Sequence, residues 1–201
     1  MTDGTKRPGT ELIEGDALVI VDVQNDFLPG GALAVPQSDE ILPVLNSYIA
    51  AFERRGLPIY VTRDWHPPNH CSFKECGGPW PAHCVAGTHG AEFSTELKLN
   101  SPFTIVSKAT TPAVEAYSDF STTNFEPNLR AANVSRLFVG GLATDYCVFS
   151  TVKDALALGF TTCLLLDAIR GVNVQPDDGE KAAHEMIRLG AVPISLQDLA
   201  L

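Results

Sequence analysis

The chain predicts an α/β fold of three layers, α/β/α, around a mainly parallel sheet of about six strands. Two observations lead there. Apolar runs of strand length alternate with stretches of helical periodicity from residue 17 to residue 195. The runs are nearly continuous in Val, Ile and Leu, as in strands covered on both faces. No repeat or linker divides the chain. All 201 residues therefore read as one domain, with a polar tail over residues 1–14.

The first strand, residues 17–23, carries Asp22 near its carboxyl end, where open α/β sheets gather ligands. A carboxylate there serves either chemistry or a loop cap. A Gly/Pro-bearing loop over 24–36 leads to a helix from Ser38 or Asp39 to Arg55. Ile41, Leu42, Leu45, Ile49 and Phe52 make its apolar face, and Gly56 its end. The second strand, 57–62, stops at Arg63-Asp64-Trp65-His66. Residues 64–92 are irregular, with four histidines and three cysteines, and a loop of that length points to function. A third strand, 103–108, ends in Lys108; 117–121 reads as loop and 124–132 as a short helix.

The fourth strand, 137–139, runs into Gly140-Gly141-Leu142-Ala143-Thr144-Asp145-Tyr146-Cys147-Val148. The two glycines permit a tight turn, and Thr144 or Asp145 can cap the helix that follows. Val148, Val152, Ala155, Leu156 and Leu158 give that helix an apolar face, and Gly159 stops it. A fifth strand (161–167), a helix (177–189) and a last strand (192–195) complete the pattern.

With a net charge of −10 and no basic stripe, the chain excludes nucleic acid and anionic membrane as partners and leaves small molecules open. No apolar run is long enough to span a bilayer and no signal-peptide core stands at the start, so a cytoplasmic location is expected. There the five cysteines stay reduced, and an odd number suits no complete disulfide framework. Assembly of identical chains is left open.

Cys147, in the first turn of its helix, would see unpaired amides and the positive end of the dipole, which favour thiolate. A nucleophile is one reading; a small buried hydrophobe, the common fate of cysteine, is the other. Parallel strands bring their carboxyl ends to one edge, so Asp22, Lys108 and Cys147 can converge there. Asp64-x-His66, with His70 and His83, has the residue types that hold Zn²⁺, Fe²⁺ or Mn²⁺ with room for substrate. Alternatively these are polar loop residues. A structural zinc site on Cys71, Cys76 and Cys84 fits poorly, because their spacings lack the paired pattern. His89 is given no role.

Together, Asp22-Val23-Gln24-Asn25-Asp26-Phe27, Asp64-Trp65-His66, Trp80-Pro81-x-His83-Cys84-Val85-x-Gly87, Lys108 and Ala143-Thr144-Asp145-x-Cys147-Val148 resemble the nicotinamidases and pyrazinamidases. These lie within the isochorismatase-like cysteine hydrolases, and the likeness runs from about residue 17 to 195. It implies a catalytic triad of Asp22, Lys108 and Cys147 and metal ligands Asp64, His66 and His83. His70 stands where some members place a further metal-proximal histidine. The likeness also implies a ring sandwich by Phe27 and Trp80, a cis Leu142–Ala143 peptide and an oxyanion hole of the Ala143 and Cys147 amides. The implied reaction is hydrolysis of nicotinamide to nicotinic acid and ammonia through a thioester, with a divalent metal on the pyridine nitrogen. The stretch 108–117 is longer than in some relatives and leaves Tyr117 without an assigned role. Two other readings stand beside it: an amidase for another small amide or carbamoyl compound, and a hydrolase using metal-bound water with Cys147 structural.

Overall fold

Successive side chains of a strand point to opposite faces, and β1 (Asp16–Val21) is buried on both. In the computed structural model, which describes residues 9–200, Leu18 and Ile20 join one apolar cluster while Ala17, Val19 and Val21 join the other. The first cluster is closed by α1 (Leu42–Arg55) through Leu45, Tyr48, Ile49 and Phe52. The second is closed by α2 (Phe125–Ala131), α3 (Phe149–Ala157) and α4 (Asp178–Arg188), through Phe125, Leu129, Val152, Ala155 and Met186. These are the three layers that the sequence predicts.

The sheet is completed by β2 (Ile59–Asp64), β3 (Thr104–Lys108), β4 (Arg136–Leu142), β5 (Thr161–Arg170) and β6 (Val192–Ile194). Its order is β3-β2-β1-β4-β5-β6, and every pairing is parallel. From β1 the chain moves outward to β2 and β3, then returns to lay β4 on the other side of β1. Because α1 and α3 cover opposite faces, the strand order reverses between β1 and β4, and the carboxyl ends of those two strands are where such sheets take ligands.

Several local features differ from the sequence expectation. Residues Ser38–Ile41 form a 3₁₀ turn, and the α-helix starts only at Leu42, with Pro43 in its first turn. Strand β2 runs two residues further, to Asp64, because its ladder with β3 continues through the pair Asp64–Lys108. Gly140 and Gly141 lie inside β4 rather than in the turn: at Gly141 (φ +122°) an added Cβ would stand 2.1 Å from the Val21 carbonyl oxygen. Finally, the polar tail is shorter than expected. Thr10 pairs with Leu199, its amide donating to the Asp198 carbonyl (2.6 Å), and Leu12 is buried in the core. Residues 1–8 of that tail lie outside the described residues. Among the described residues no helix is long and apolar enough to cross a membrane.

Gly159 (φ +82°) also has left-handed backbone, but a Cβ there would meet nothing within 4 Å. Gly141→Ala is therefore expected to cost about 2–3 kcal/mol, by overpacking, and Gly159→Ala about 1 kcal/mol. Urea unfolding of the two variants checks the order.

Candidate active site

Asp22 follows β1 in a left-handed conformation (φ 49°), which Asp tolerates better than most residues. Its amide donates to the Thr62 carbonyl at 3.2 Å, and its Oδ1 accepts the Thr62 hydroxyl at 2.8 Å. Its Oδ2 accepts a very short bond from the Lys108 ammonium. A lysine at a strand end is ordinarily a solvated charge, yet Lys108 is only 1% exposed. Its Nζ also faces Asp64 Oδ1 at 3.1 Å and Asp119 Oδ1 at 3.3 Å.

Burial works against a charge on Lys108, but Asp22 and Asp64, with Cys147 and Asp119 behind them, outweigh it and push its pKa well above the usual value. It stays an ammonium. Burial pushes the Asp22 carboxyl up and Lys108 pulls it down. Donors on both of its oxygens mark it as the carboxylate, one with unusual affinity for a proton. Burial likewise pushes Asp119 up to about 7, against the pull of Lys108.

Cys147 sits in a π-helical turn, Thr144–Val148, in which the Val148 amide donates to the Ala143 carbonyl at 3.1 Å; the Leu142–Ala143 peptide before it is cis. Helix α3 begins only at Phe149, so Cys147 precedes the α-helix instead of lying in its first turn. Nor do Thr144 and Asp145 cap a helix. The Asp145 carboxylate accepts the amides of Val172 and Asn173, both at 2.8 Å, and so ties the loop after β5 to this turn. Burial pushes the Cys147 thiol well above its ordinary pKa; Lys108 opposes, while Asp22 and Asp64 add to the rise. The resting group is thus a neutral thiol, not the thiolate that a helix terminus alone would favour. Oxygens of Asp22 and Asp64 and the Cys147 sulfur lie within 4.8 Å of one another, and Cys147 keeps 5% of its surface open.

Asp64, His66 and His83 form a second group of ligand atoms, all buried and mutually within 4.8 Å. Their hydrogen bonding suits a cation. His66 Nδ1 lies 3.2 Å from the Ala109 carbonyl and His83 Nδ1 2.8 Å from that of Pro81. Each ring can donate there and keep the Nε2 lone pair free, the usual arrangement behind a metal-binding histidine. Burial, with His83 and His70 adding, lowers the His66 pKa to about 3, so the ring is neutral. Asp64 Oδ1 is buried without a hydrogen-bond partner beyond its ion pair. The residues fit a divalent cation. His70 is not among them: it stacks on His66 (4.1 Å between centroids), while Nδ1 meets Ser72 Oγ at 2.7 Å and Nε2 the Val114 carbonyl at 3.1 Å. Asp22, Asp64 and Cys147 could also surround an ion, but the Lys108 ammonium already stands on both carboxylates.

Phe27 borders this group, 5.6 Å from the His83 ring. Trp80 donates its indole N–H to the Tyr117 hydroxyl at 3.0 Å and meets Tyr146 edge-on at 5.0 Å. Tyr117 thereby gains the place that the sequence left open, as the support of Trp80. Gln24 grips both backbone groups of Asp64 (2.8 and 2.9 Å), and Asp26 accepts the Cys84 amide at 2.7 Å. Sequence reasoning missed Thr62, Tyr146 and above all Asp119. Thr62, in the second strand, and Tyr146, in the turn that carries Cys147, were in segments already marked as leading to the site; Asp119 was not.

The isochorismatase domain model matches residues 16–198. The chain belongs to the isochorismatase family. Within that family it is similar to the nicotinamidase of Escherichia coli (strain K12), at 39% identity over 90% of this chain and 95% of that one. Its fold matches the pyrazinamidase of Pyrococcus horikoshii in complex with zinc, with a TM-score of 0.87 and 48% identity over 90% of this chain and 99% of the other. It also matches PnC1 of L. infantum in complex with nicotinate, with a TM-score of 0.86 and 34% identity over 93% and 96% of the two chains.

The charge cluster of this family member makes stability depend on one side chain. Lys108→Met strands buried carboxyls and is expected to cost about 3–5 kcal/mol at pH 8. Without the ammonium, Asp22 and Asp119 keep protons when folded that the unfolded chain has already released, so the loss grows as pH rises above about 4. Urea unfolding of wild type and variant at pH 5 and pH 8 should show the smaller difference at pH 5.

Proposed function

We propose that the chain is an amidohydrolase that converts nicotinamide to nicotinic acid and ammonia through a thioester on Cys147. One observation carries the reading. The Cys147 sulfur lies within reach of Asp22, which is itself held by a buried ammonium, and the same edge of the sheet carries a group of two histidines and one aspartate. Likeness to the E. coli nicotinamidase and to a structure holding nicotinate supports it.

Ammonia is a poor leaving group, so the amide needs a strong nucleophile and a proton on its nitrogen. Asp22, with its raised proton affinity, takes the proton of the Cys147 thiol as the sulfur attacks the carboxamide carbon. The oxygen gains negative charge and is held by the amides of Ala143 and Cys147. Asp22 passes the proton to the nitrogen, the C–N bond breaks, ammonia departs and a thioester remains. Asp22 next takes a proton from water as its oxygen attacks the thioester. The C–S bond breaks, Asp22 returns the proton to the sulfur, and nicotinic acid leaves with the thiol restored. Throughout, Lys108 keeps Asp22 ionised between transfers and offsets charge on the sulfur.

Asp64, His66 and His83 would hold a divalent ion, Zn²⁺, Fe²⁺ or Mn²⁺, which when bound supplies a Lewis-acid anchor for the pyridine nitrogen. Phe27 and Trp80 flank the ring and leave the carboxamide beside Cys147. A cytoplasmic setting is supported by five cysteines that are all free.

An ammonia-release assay tests the reading. Nicotinamide and pyrazinamide should be hydrolysed, while benzamide, lacking the ring nitrogen, should lose an anchor of ~3 kcal/mol, roughly 100-fold in kcat/KM. Chelation should depress turnover of nicotinamide and leave residual benzamide turnover unchanged. Cys147→Ala should abolish release; activity that survives this change and vanishes with the metal would assign the chemistry to metal-bound water instead.

A further inference from the structure

An ammonium group has three N–H donors and no acceptor. Three carboxyl groups stand around that of Lys108: Asp22 in a very short bond, and Asp64 at 3.1 Å and Asp119 at 3.3 Å as ion pairs. Two of these groups answer to other partners. Asp22 also takes the Thr62 hydroxyl and faces Cys147, and Asp64 belongs with His66 and His83. Asp119 has no such second duty. It is fully buried, and among the described residues neither of its oxygens has a hydrogen-bond partner; Lys108 stands at ion-pair distance. Thr62 lies close enough to act on it, but the one hydrogen of that hydroxyl goes to Asp22 at 2.8 Å. A buried carboxyl left so poorly satisfied is costly unless the contact it makes is needed.

The backbone of Asp119 says where that contact is referred. Its amide donates to the Thr151 Oγ1 at 3.0 Å, on α3, four residues beyond Cys147. Asp22 and Asp64 hold Lys108 from the ends of β1 and β2. Asp119 holds it from a loop fastened to the helix that carries the nucleophile turn.

We propose that Asp119 is a positioning residue, the third oxygen partner that fixes the Lys108 ammonium beside Asp22 and Cys147. The proposal rests on the cysteine amidase reading above. With two acceptors the ammonium can swing about the axis between them; a third removes that freedom. The role does not require a charge on Asp119. With its carboxyl pushed up to about 7, the group offers an acceptor oxygen near neutral pH with or without its own proton. An amide oxygen at the same place should serve equally well.

The test compares wild type, Asp119→Ala and Asp119→Asn as metal-loaded full chains. It reads kcat and KM for nicotinamide, and the rate of Cys147 alkylation by iodoacetamide relative to Cys71 and Cys76, mapped by mass spectrometry. Asp119→Ala should lower kcat about 10- to 100-fold, the worth of one buried bond to a charged group, with KM held within about twofold. Asp119→Asn should recover kcat to within about threefold, since it keeps the acceptor. Cys147 alkylation should slow in the alanine variant and recover in the asparagine variant, as the ammonium that favours thiolate is released and then regained.

An asparagine variant as impaired as the alanine one would overturn the proposal, as would an alanine variant with unchanged kcat or a change in KM alone. Faster alkylation in Asp119→Ala would also overturn it, by showing an opposing charge and nothing more. Should Asp119→Ala fail to fold, Asp119→Asn still decides: a kcat more than about tenfold below wild type sinks the idea. If wild type releases no ammonia from nicotinamide, the amidase reading fails by itself, and the alkylation ratios still judge Asp119.

Discussion

A lone ammonium buried among carboxyl groups sets the terms for everything at the carboxyl edge of this sheet. Lys108 can stay charged there only because Asp22, Asp64 and Asp119 surround it. Those acids are tolerable in turn only because of Lys108. The sheet order β3-β2-β1-β4 lets side chains from the ends of neighbouring strands meet around one nitrogen and places the Cys147 turn beside them. Three carboxyls against one ammonium still leave negative charge in excess. A divalent ion on Asp64 and two neutral imidazoles is the natural complement to that excess. On this view the catalytic group and the metal group share Asp64 and form one electrostatic unit.

What could be read from the sequence is what is local. Asp22 and Lys108 each terminate an apolar run, and a parallel sheet delivers such ends to one edge. Asp64-x-His66 has the residue types and the spacing for a shared ligand, although a polar loop stood beside that reading. The Cys147 turn was marked by its glycines, although for the wrong reason: Gly141 admits the neighbouring strand β1 within a strand and does not form the turn. The charge on Cys147 was misjudged for a related cause. A helix terminus is a local feature, whereas burial beside two acids is a property of the assembled fold.

The remainder was hidden because it depends on long-range partners. Asp119 sits in a polar Ser-Asp stretch like any surface turn, and nothing in that stretch tells of Lys108 or Thr151. His70 has the right spacing for a ligand, but folding commits both its nitrogens to Ser72 and Val114. The loops after β1 and β2 read as separate irregular segments, yet they interlock. Gln24 grips Asp64 and reaches the Ala91 carbonyl, Asp26 takes the Cys84 amide, and a Cβ on Gly90 would strike the Asp26 carboxylate at 2.1 Å. The order in this long connection comes from polar side chains pairing with backbone, a pattern without periodicity.

The grip of Asp145 on Val172 and Asn173 has an evolutionary side. Both bonds end on main-chain amides, so they constrain the path of the 171–177 segment at 172 and 173 without calling on those side chains. Asn173 is held separately by its left-handed backbone (φ 54°) and by accepting the Gly179 amide at 2.8 Å. Point replacements at positions such as the exposed Val174 can accumulate under weak selection. A proline at 172 or 173, having no amide to give, or a change in segment length would let go of the turn that holds the sulfur. Descendants of this chain should therefore vary in the wording of that segment long before they vary in its length.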